Sequence, residues 1–275
     1  MGHAKAIVVR ARMAVMVRLL FLGLVAAFLA APLVIVTGVS FNGTARMSFP
    51  PVHPGVLWYS TFVTDPGWMS AFVLSLGVAA AAVVVAVSLA FPIAYVRWRY
   101  PSRMARWLET LAQLAFVLPL IVLAIGFMVF WSTLGHVGRV ENTIFSHAAV
   151  FVSLPLATIT MGFRSVDPAL VEAARTLGAR DEDVLHTVLR PIVLPYVVSG
   201  AAFVFILSLN EYIIANFVAG FEVQTLPIKV FNSLRMGFQP TMCVGAVLFM
   251  VVDILAFTLV AVRGDLPKLL GGRAR

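Results

Sequence analysis

Across 275 residues the chain is 61% hydrophobic and 12% charged, with a mean hydropathy of +0.99. Soluble domains carry roughly 25% charged residues, so this composition excludes a soluble protein and reads as an all-α integral membrane protein. The single cysteine, Cys243, excludes an internal disulfide and any CxxC metal site.

A basic segment at 1–18 precedes the first apolar run, at 19–41. That run is longer than the roughly 7–15 residues of a signal-peptide core, so it is expected to remain as an anchor. From Asn42 to Trp68 the chain is rich in Pro, Gly and aromatic residues, which suits a loop or short interfacial helix with Trp58, Tyr59 and Trp68 as interface anchors. A second span is predicted at 69–96, where Gly77, Ala80, Ala81 and Ser88 permit close backbone approach. Spans three to six follow at 108–134, 143–163, 196–217 and 242–262. The transmembrane region as a whole covers 19–263, with a short tail at 264–275. Each run reaches the ~20 apolar residues a helix needs to cross the hydrocarbon, and all are too long and unbroken for barrel strands.

With the N-terminus inside, sixteen of the twenty Lys and Arg residues fall on the cytoplasmic side, leaving Arg46, Arg139, Lys229 and Arg235 outside. The net charge of +8 therefore records a multi-pass topology with both termini cytoplasmic, and gives no reason to expect nucleic acid as a partner.

Between spans four and five lies a polar island, 164–195. Asp167 is a good N-cap, Pro168 suits the first helical position, Leu170, Ala173, Ala174 and Leu177 recur at helical spacing, and Gly178 stands where a left-handed cap is wanted. A second helix is predicted from Asp181, with Glu182 and Asp183 in its first turn, an apolar face of Val184, Leu185, Val188 and Leu189, and a stop at Pro191. Four arginines against five acids leave the island slightly negative, which argues against a DNA reader or an anionic-lipid surface.

Catalytic patterns are scarce. His3, His53, His136, His147 and His186 show no metal-ligand spacing, and only His147 sits where an intramembrane hydrolase would want a histidine. No GxxxxGK[ST] is present, so nucleotide hydrolysis must lie in another chain. Two acids fall within spans: Glu211, preceded by Asn210, in span five, and Asp253 in span six. An intramembrane carboxylate is a candidate functional site because burying its charge is expensive unless it is paired or hydrated; a helix-capping or hydrogen-bonded structural role is the alternative.

The island resembles the cytoplasmic signature of permease subunits of binding-protein-dependent ABC importers. That signature is a Glu-Ala-Ala, a Gly four residues after the last Ala, then a hydrophobic residue and Pro; here these are Glu172, Ala173, Ala174, Gly178, Val188 and Pro191, with Arg190 where Leu usually precedes the final Pro. The likeness extends from about Ser40 to Arg263. It implies six transmembrane helices of the type I importer kind and a helix pair that docks into a separate ATPase subunit. No cofactor is expected in this chain, since ATP and Mg would be bound by the ATPase. The implied partners are a second permease subunit in a heterodimer, two ATPase copies, a substrate-binding protein and membrane lipid, all at a bacterial inner membrane.

The run from Leu207 to Pro240, and Ser40-Phe41-Asn42 after span one, look like the second permease of the polyamine (spermidine/putrescine) branch. In that branch acids line the path at the positions of Asn210 and Glu211, often as a pair, and here one acid is Asn. The resemblance implies a di- or polycationic amine met by Glu211, with Asp253 as helper and Phe203, Phe205 or Tyr212 as cation–π partners. Related branches carry aminoethylphosphonate, ferric iron or other small solutes. A secondary carrier or channel is the reading of a different class, although no internal repeat supports it.

Overall fold

The structure is a computed structural model that describes residues 2–219 and 222–263, with side chains from residue 12 onward; the expected tail at 264–275 lies outside the described residues. In chain order the helices are α1 (Gly2–Ser40), α2 (Leu57–Thr64), α3 (Pro66–Arg99), α4 (Arg103–Val117), α5 (Leu120–Thr133), α6 (Val140–Phe151) and α7 (Ser153–Arg164). There follow α8 (Pro168–Thr176), α9 (Asp181–Val184), α10 (Arg190–Asn210), α11 (Ile213–Ala219), α12 (Leu226–Met236) and α13 (Thr241–Arg263). A π-helical turn, Leu185–Leu189, joins α9 to α10, and no strand occurs among the described residues.

Four helices are long and apolar enough to cross a membrane: Arg12–Ser40, Pro66–Arg99, Asp181–Asn210 and Thr241–Val262. Two bent pairs, α4 with α5 and α6 with α7, bring the number to six if each pair is one span. The continuous third and fourth spans expected from hydropathy are therefore broken, and each break sits at a proline. Leu118, extended because a residue before proline avoids the helical region, ends α4, and α5 departs beyond Pro119 at 112°. α4 keeps Arg103, Arg106 and Glu109 beside its apolar residues, and Arg97 at the end of α3 pairs with Glu109 at 3.4 Å. Pro155, which cannot donate to the carbonyl of Phe151, accompanies the gentler 45° bend between α6 and α7.

The chain divides into two compact units, Met1–Thr64 with Ser233–Val247 and Asp65–Asn232 with Leu248–Arg275. In the first, side chains 12–35 of α1 are all exposed, as suits a helix whose surroundings are lipid or another chain. At its end Ser40 bonds the Tyr59 hydroxyl at 2.8 Å and Phe41 packs on the Tyr59 ring. The fully buried Asn42 donates to Arg46 O at 2.8 Å and Ser48 Oγ at 2.7 Å and accepts from Val52 N at 3.1 Å. Ser40-Phe41-Asn42 thus ties down the loop that follows it.

In the second unit the core is built by close approach of α3, α7 and α10. An alanine row on α3, Ala79, Ala82, Ala86, Ala90 and Ala94, is completely buried, and it is this row rather than Gly77, Ala80 and Ser88, which are exposed, that meets the neighbouring helices. Gly162 and Gly200 allow α7 and α10 to close up. A Cβ at Gly162 would stand 2.9 Å from the Tyr196 ring, and one at Gly200 would stand 2.6 Å from Pro155 Cα. Trp68 is only 4% exposed, with Lys229 Nζ 5.1 Å from its ring centre, so it is a core residue and not the interface anchor expected.

Because Pro155 Cα is backbone and cannot move aside, Gly200→Ala should destabilise the α7–α10 contact by about 1–3 kcal/mol. Gly77→Ala, with open space around it, should be neutral or slightly stabilising. Thermal unfolding of the two variants purified in detergent checks the pair.

Candidate functional site

The polar island forms a compact helix pair. Asp167 caps α8 through Ala169 N at 2.9 Å, and Gly178 ends that segment at φ +89°, a left-handed conformation that side-chain-bearing residues resist. Arg175 Nη2 reaches Asp181 Oδ1 at 2.6 Å, bridging the two helices across the glycine, while the Arg180 amide donates to Asp183 Oδ2 at 2.9 Å and starts α9. Val171, Val184 and Leu189 turn into the core, with Ala174, Leu185 and Val188 half-buried against it. Leu170, Ala173 and Leu177 instead face outward, Leu177 at 88% exposure. Glu172 is exposed too, and its carboxylate makes no ion pair among the described residues.

Pro191 does not end the second helix as expected. Helical structure runs without interruption from Asp181 to Asn210, and the proline is absorbed by the π-helical turn before it, in which Arg190 N bonds Leu185 O. A wider turn relieves the press of a proline ring on the carbonyl one turn back, so the ladder resumes. The second helix of the island and span five are consequently one rod of 30 residues.

Span five is also not continuous to its expected end. α10 stops at Asn210, Glu211 is extended at φ −76°, ψ 127°, and α11 begins at Ile213. Glu211 turns inward and caps α11: Oε1 accepts from Ile214 N at 2.8 Å and Oε2 from Ala215 N at 2.9 Å. From α6, His147 Nε2 lies 3.1 Å from Oε2, and its Nδ1 lies 2.8 Å from Ser208 Oγ. Glu211 is 6% exposed and His147 1%. The carboxylate expected to line a path is thus enclosed in protein, because a helix broken at membrane depth leaves amides that must be satisfied from within. Ser208, His147 and Glu211 resemble a hydrolytic triad in composition, but all three are buried and both carboxylate oxygens are committed, leaving no room for a substrate.

Asn210 faces the other way. It is exposed, donates to Ile206 O at 2.9 Å, and lies 3.1 Å and 3.3 Å from the two oxygens of Asp253 on α13. Nearby, α3, α10 and α13 enclose an apolar groove of about 580 Å³ whose wall includes Ala80, Val83, Phe205 and Val252, the residue before Asp253. Tyr212 packs at a tilt on Phe231, with ring centres 4.5 Å apart. Asn210, Glu211 and Asp253 are therefore divided: two meet at an exposed surface and the third holds the break. Sequence reasoning missed His147 and Ser208 as partners of Glu211; the signal was the polar face of α6, where Asn142, Thr143, Ser146 and His147 are all buried. No cluster of metal ligands forms among the described residues.

Helices long and apolar enough to span a membrane, joined by an exposed, capped helix pair, are the pattern of a multi-pass membrane subunit. Residues 86–263 match the family model of the binding-protein-dependent transport system inner membrane component, and the chain belongs to that family. It is a permease, a non-catalytic multi-pass membrane subunit, and the hydrolase, carrier and channel readings fall away. Membership implies a second permease, an ATPase and a binding protein as companions.

Among curated relatives, the putrescine transport system permease protein PotI of Escherichia coli (strain K12) is 31% identical over 235 residues, covering 80% of this chain and 83% of its own. The spermidine/putrescine transport system permease protein PotC of the same strain is 25% identical, covering 86% and 89%. The molybdenum transport system permease protein ModB of Mycobacterium bovis is 35% identical over 205 residues, covering 69% and 77%. A chain of a bacterial ABC transporter that imports the acidic polysaccharide alginate shares the fold with a TM-score of 0.70 at 19% identity, covering 91% and 96%. The methionine ABC transporter MetNI, inward facing, gives 0.59 at 16%, covering 72% and 96%.

Glu211→Ala should destabilise the protein by about 3–5 kcal/mol, since it strands His147 and two backbone amides in a buried site. Asp253→Asn, at a half-exposed position, should change stability by no more than about 0.5 kcal/mol. Thermal unfolding of the purified transporter carrying either substitution measures the contrast.

Proposed function

We propose that this permease forms half of the path of an ATP-driven importer for a small di- or polycationic amine such as putrescine or spermidine. The reading is carried by one observation: the exposed Asn210 meets the half-buried Asp253, which lies midway along the apolar α13, beside a helix break. A carboxylate facing hydrocarbon is expensive, so such a pair belongs against water or a companion chain. The C-terminal end of α10 adds its partial negative charge at the same place. The apolar groove alongside, with Phe205 in its wall, suits the methylene stem of a diamine. PotI and PotC are named for such amines, whereas ModB, at higher identity, is named for molybdenum, so identity alone does not choose the cargo. Local charge supports the amine, since an oxyanion would be repelled where an ammonium is drawn.

In this reading Asp253 and Asn210 meet the cargo and Glu211 supports them. The helix pair, through Glu172, Ala173, Ala174, Gly178 and the outward Leu177, docks on the ATPase. Val188 and Pro191 lie where that element becomes the rod of span five, so a push on the pair moves the span. The full assembly is this chain paired with a different permease, two ATPase copies that bind ATP and Mg, and a binding protein. The positive-inside distribution supports cytoplasmic termini.

Asp253→Asn should raise the KM for putrescine uptake by about tenfold or more in reconstituted vesicles, the loss expected when an ammonium loses a charged partner. If KM is unchanged, or if the parent takes up molybdate and no amine, the cargo assignment fails. Gly178→Val forces a β-branched residue into a left-handed conformation without meeting any neighbour, so its effect should be confined to the helix pair. Uptake should fall about tenfold or more while ATP hydrolysis continues and the complex still co-purifies, as lever loss with intact fold requires. Normal uptake by this variant would remove the segment from coupling.

A further inference from the structure

The two sides of the α10–α11 break carry different chemistry. Ser208, Leu209 and Glu211 are buried, whereas Asn210, between them, is exposed and meets Asp253. The turn of about 100° per residue already sets Ser208, Leu209 and Glu211 on one side of α10 and Asn210 on the other, and at the break the extended Glu211 keeps its side chain on the inner side, where it caps α11. The capping bonds from Ile214 N and Ala215 N are local, and would travel with α10 and α11 wherever those helices went. The bond to His147 is not local: it comes from 64 residues away, on α6. Ser208 holds the other ring nitrogen at 2.8 Å and so sets the plane in which Nε2 meets the carboxylate.

We propose that His147 and Ser208, acting through Glu211, are positioning residues that pin the break to α6 and thereby fix where Asn210 and Asp253 stand. This deepens the path reading above and rests on it for the cargo. None of the three touches the cargo. A displacement of α6 is passed through the ring to residue 211 and so to its neighbour at the exposed surface, which makes the polar pair responsive to the packing of span four.

The experiment uses the whole transporter, with its ATPase, second permease and binding protein, in vesicles. Cys243→Ser removes the one native thiol of this chain, and Asn210→Cys then reports the position of residue 210 through the rate at which this chain, separated from its partners, is labelled by a cationic thiosulfonate, a readout independent of any cargo. His147→Phe fills similar space without either hydrogen bond; His147→Gln keeps a donor toward Glu211. The expected result is a labelling rate changed about threefold or more by His147→Phe and restored to near the parent rate by His147→Gln, as loss and return of one charge-assisted hydrogen bond would give. In the Asn210-containing protein, the same His147→Phe should raise the KM for putrescine by about fivefold or more with kcat less affected, the signature of misplaced binding groups. Labelling and KM both unchanged in an assembled His147→Phe complex overturn the proposal. Should that variant fail to assemble, Ser208→Ala decides: it must shift the labelling rate in assembled protein, and an unchanged rate overturns the pin. If labelling shifts but the parent imports no amine, the pin stands and the cargo reading is the one that falls.

Discussion

A helix that breaks inside a membrane leaves amides and carbonyls that neither water nor lipid can satisfy, and the rest of this structure is arranged around one such break. Glu211 resolves it by placing a carboxylate under the first amides of α11, in effect replacing the missing turn of backbone acceptors with a side chain. That solution brings a charge into the core, and the charge requires a donor. His147 supplies one from a different span, so satisfying two local amides ties α6 to α10 and α11. A long-range constraint thus grows from a local one.

Three of the prolines in the helical segments pose the same problem and are met in other ways. At Pro119 the chain gives up the helix, with Leu118 extended and a turn of 112° into α5. At Pro155 the helix bends by 45° and continues, close against α10, where Gly200 faces the proline directly. At Pro191 the helix neither stops nor turns, because a π-helical turn widens just ahead of the ring. The differences follow from what each site must do. A sharp corner redirects α5, a bend lets α7 follow its neighbours, and an unbroken rod makes α9 continuous with span five.

These irregularities mark the boundary of what the sequence made legible. Apolar runs located the membrane segments, and the capping chemistry of Asp167 and Gly178 is read directly from residue type because caps are local. Hydropathy could not see the corner at Pro119 or the break at Glu211, since averaging over a window smooths across one or two residues. Nor could it distinguish the acids. From sequence, Glu211 in an apolar run looks like the stronger path residue, with Asp253 its helper. In the fold it is Asp253 that reaches the exposed surface, and the deciding fact, the approach of His147, depends on contacts between residues 64 apart. The outward aspect of Leu170 and Leu177 was hidden for a similar reason: helical periodicity names a stripe, but only packing says whether the stripe faces a core or a partner.

In the proposed amine path, the separation of roles between Glu211 and Asp253 has a physical logic. A carboxylate that both held the break and bound cargo would be drawn away from its capping amides whenever an ammonium arrived, and the helix terminus would loosen with each transport cycle. Dividing the work avoids that competition. Glu211 is met by protein donors at both oxygens, whereas among the described residues Asp253 is held by the amide of Asn210 at 3.1 and 3.3 Å, a neutral partner that, in the proposed path, a cation displaces or shares. An acid at residue 210 would have made a like-charge pair with Asp253 and demanded a counter-ion at rest. Asn at that position orients the carboxylate without neutralising it, which in the proposed path leaves one negative charge to attract the cargo and a hold weak enough to release it.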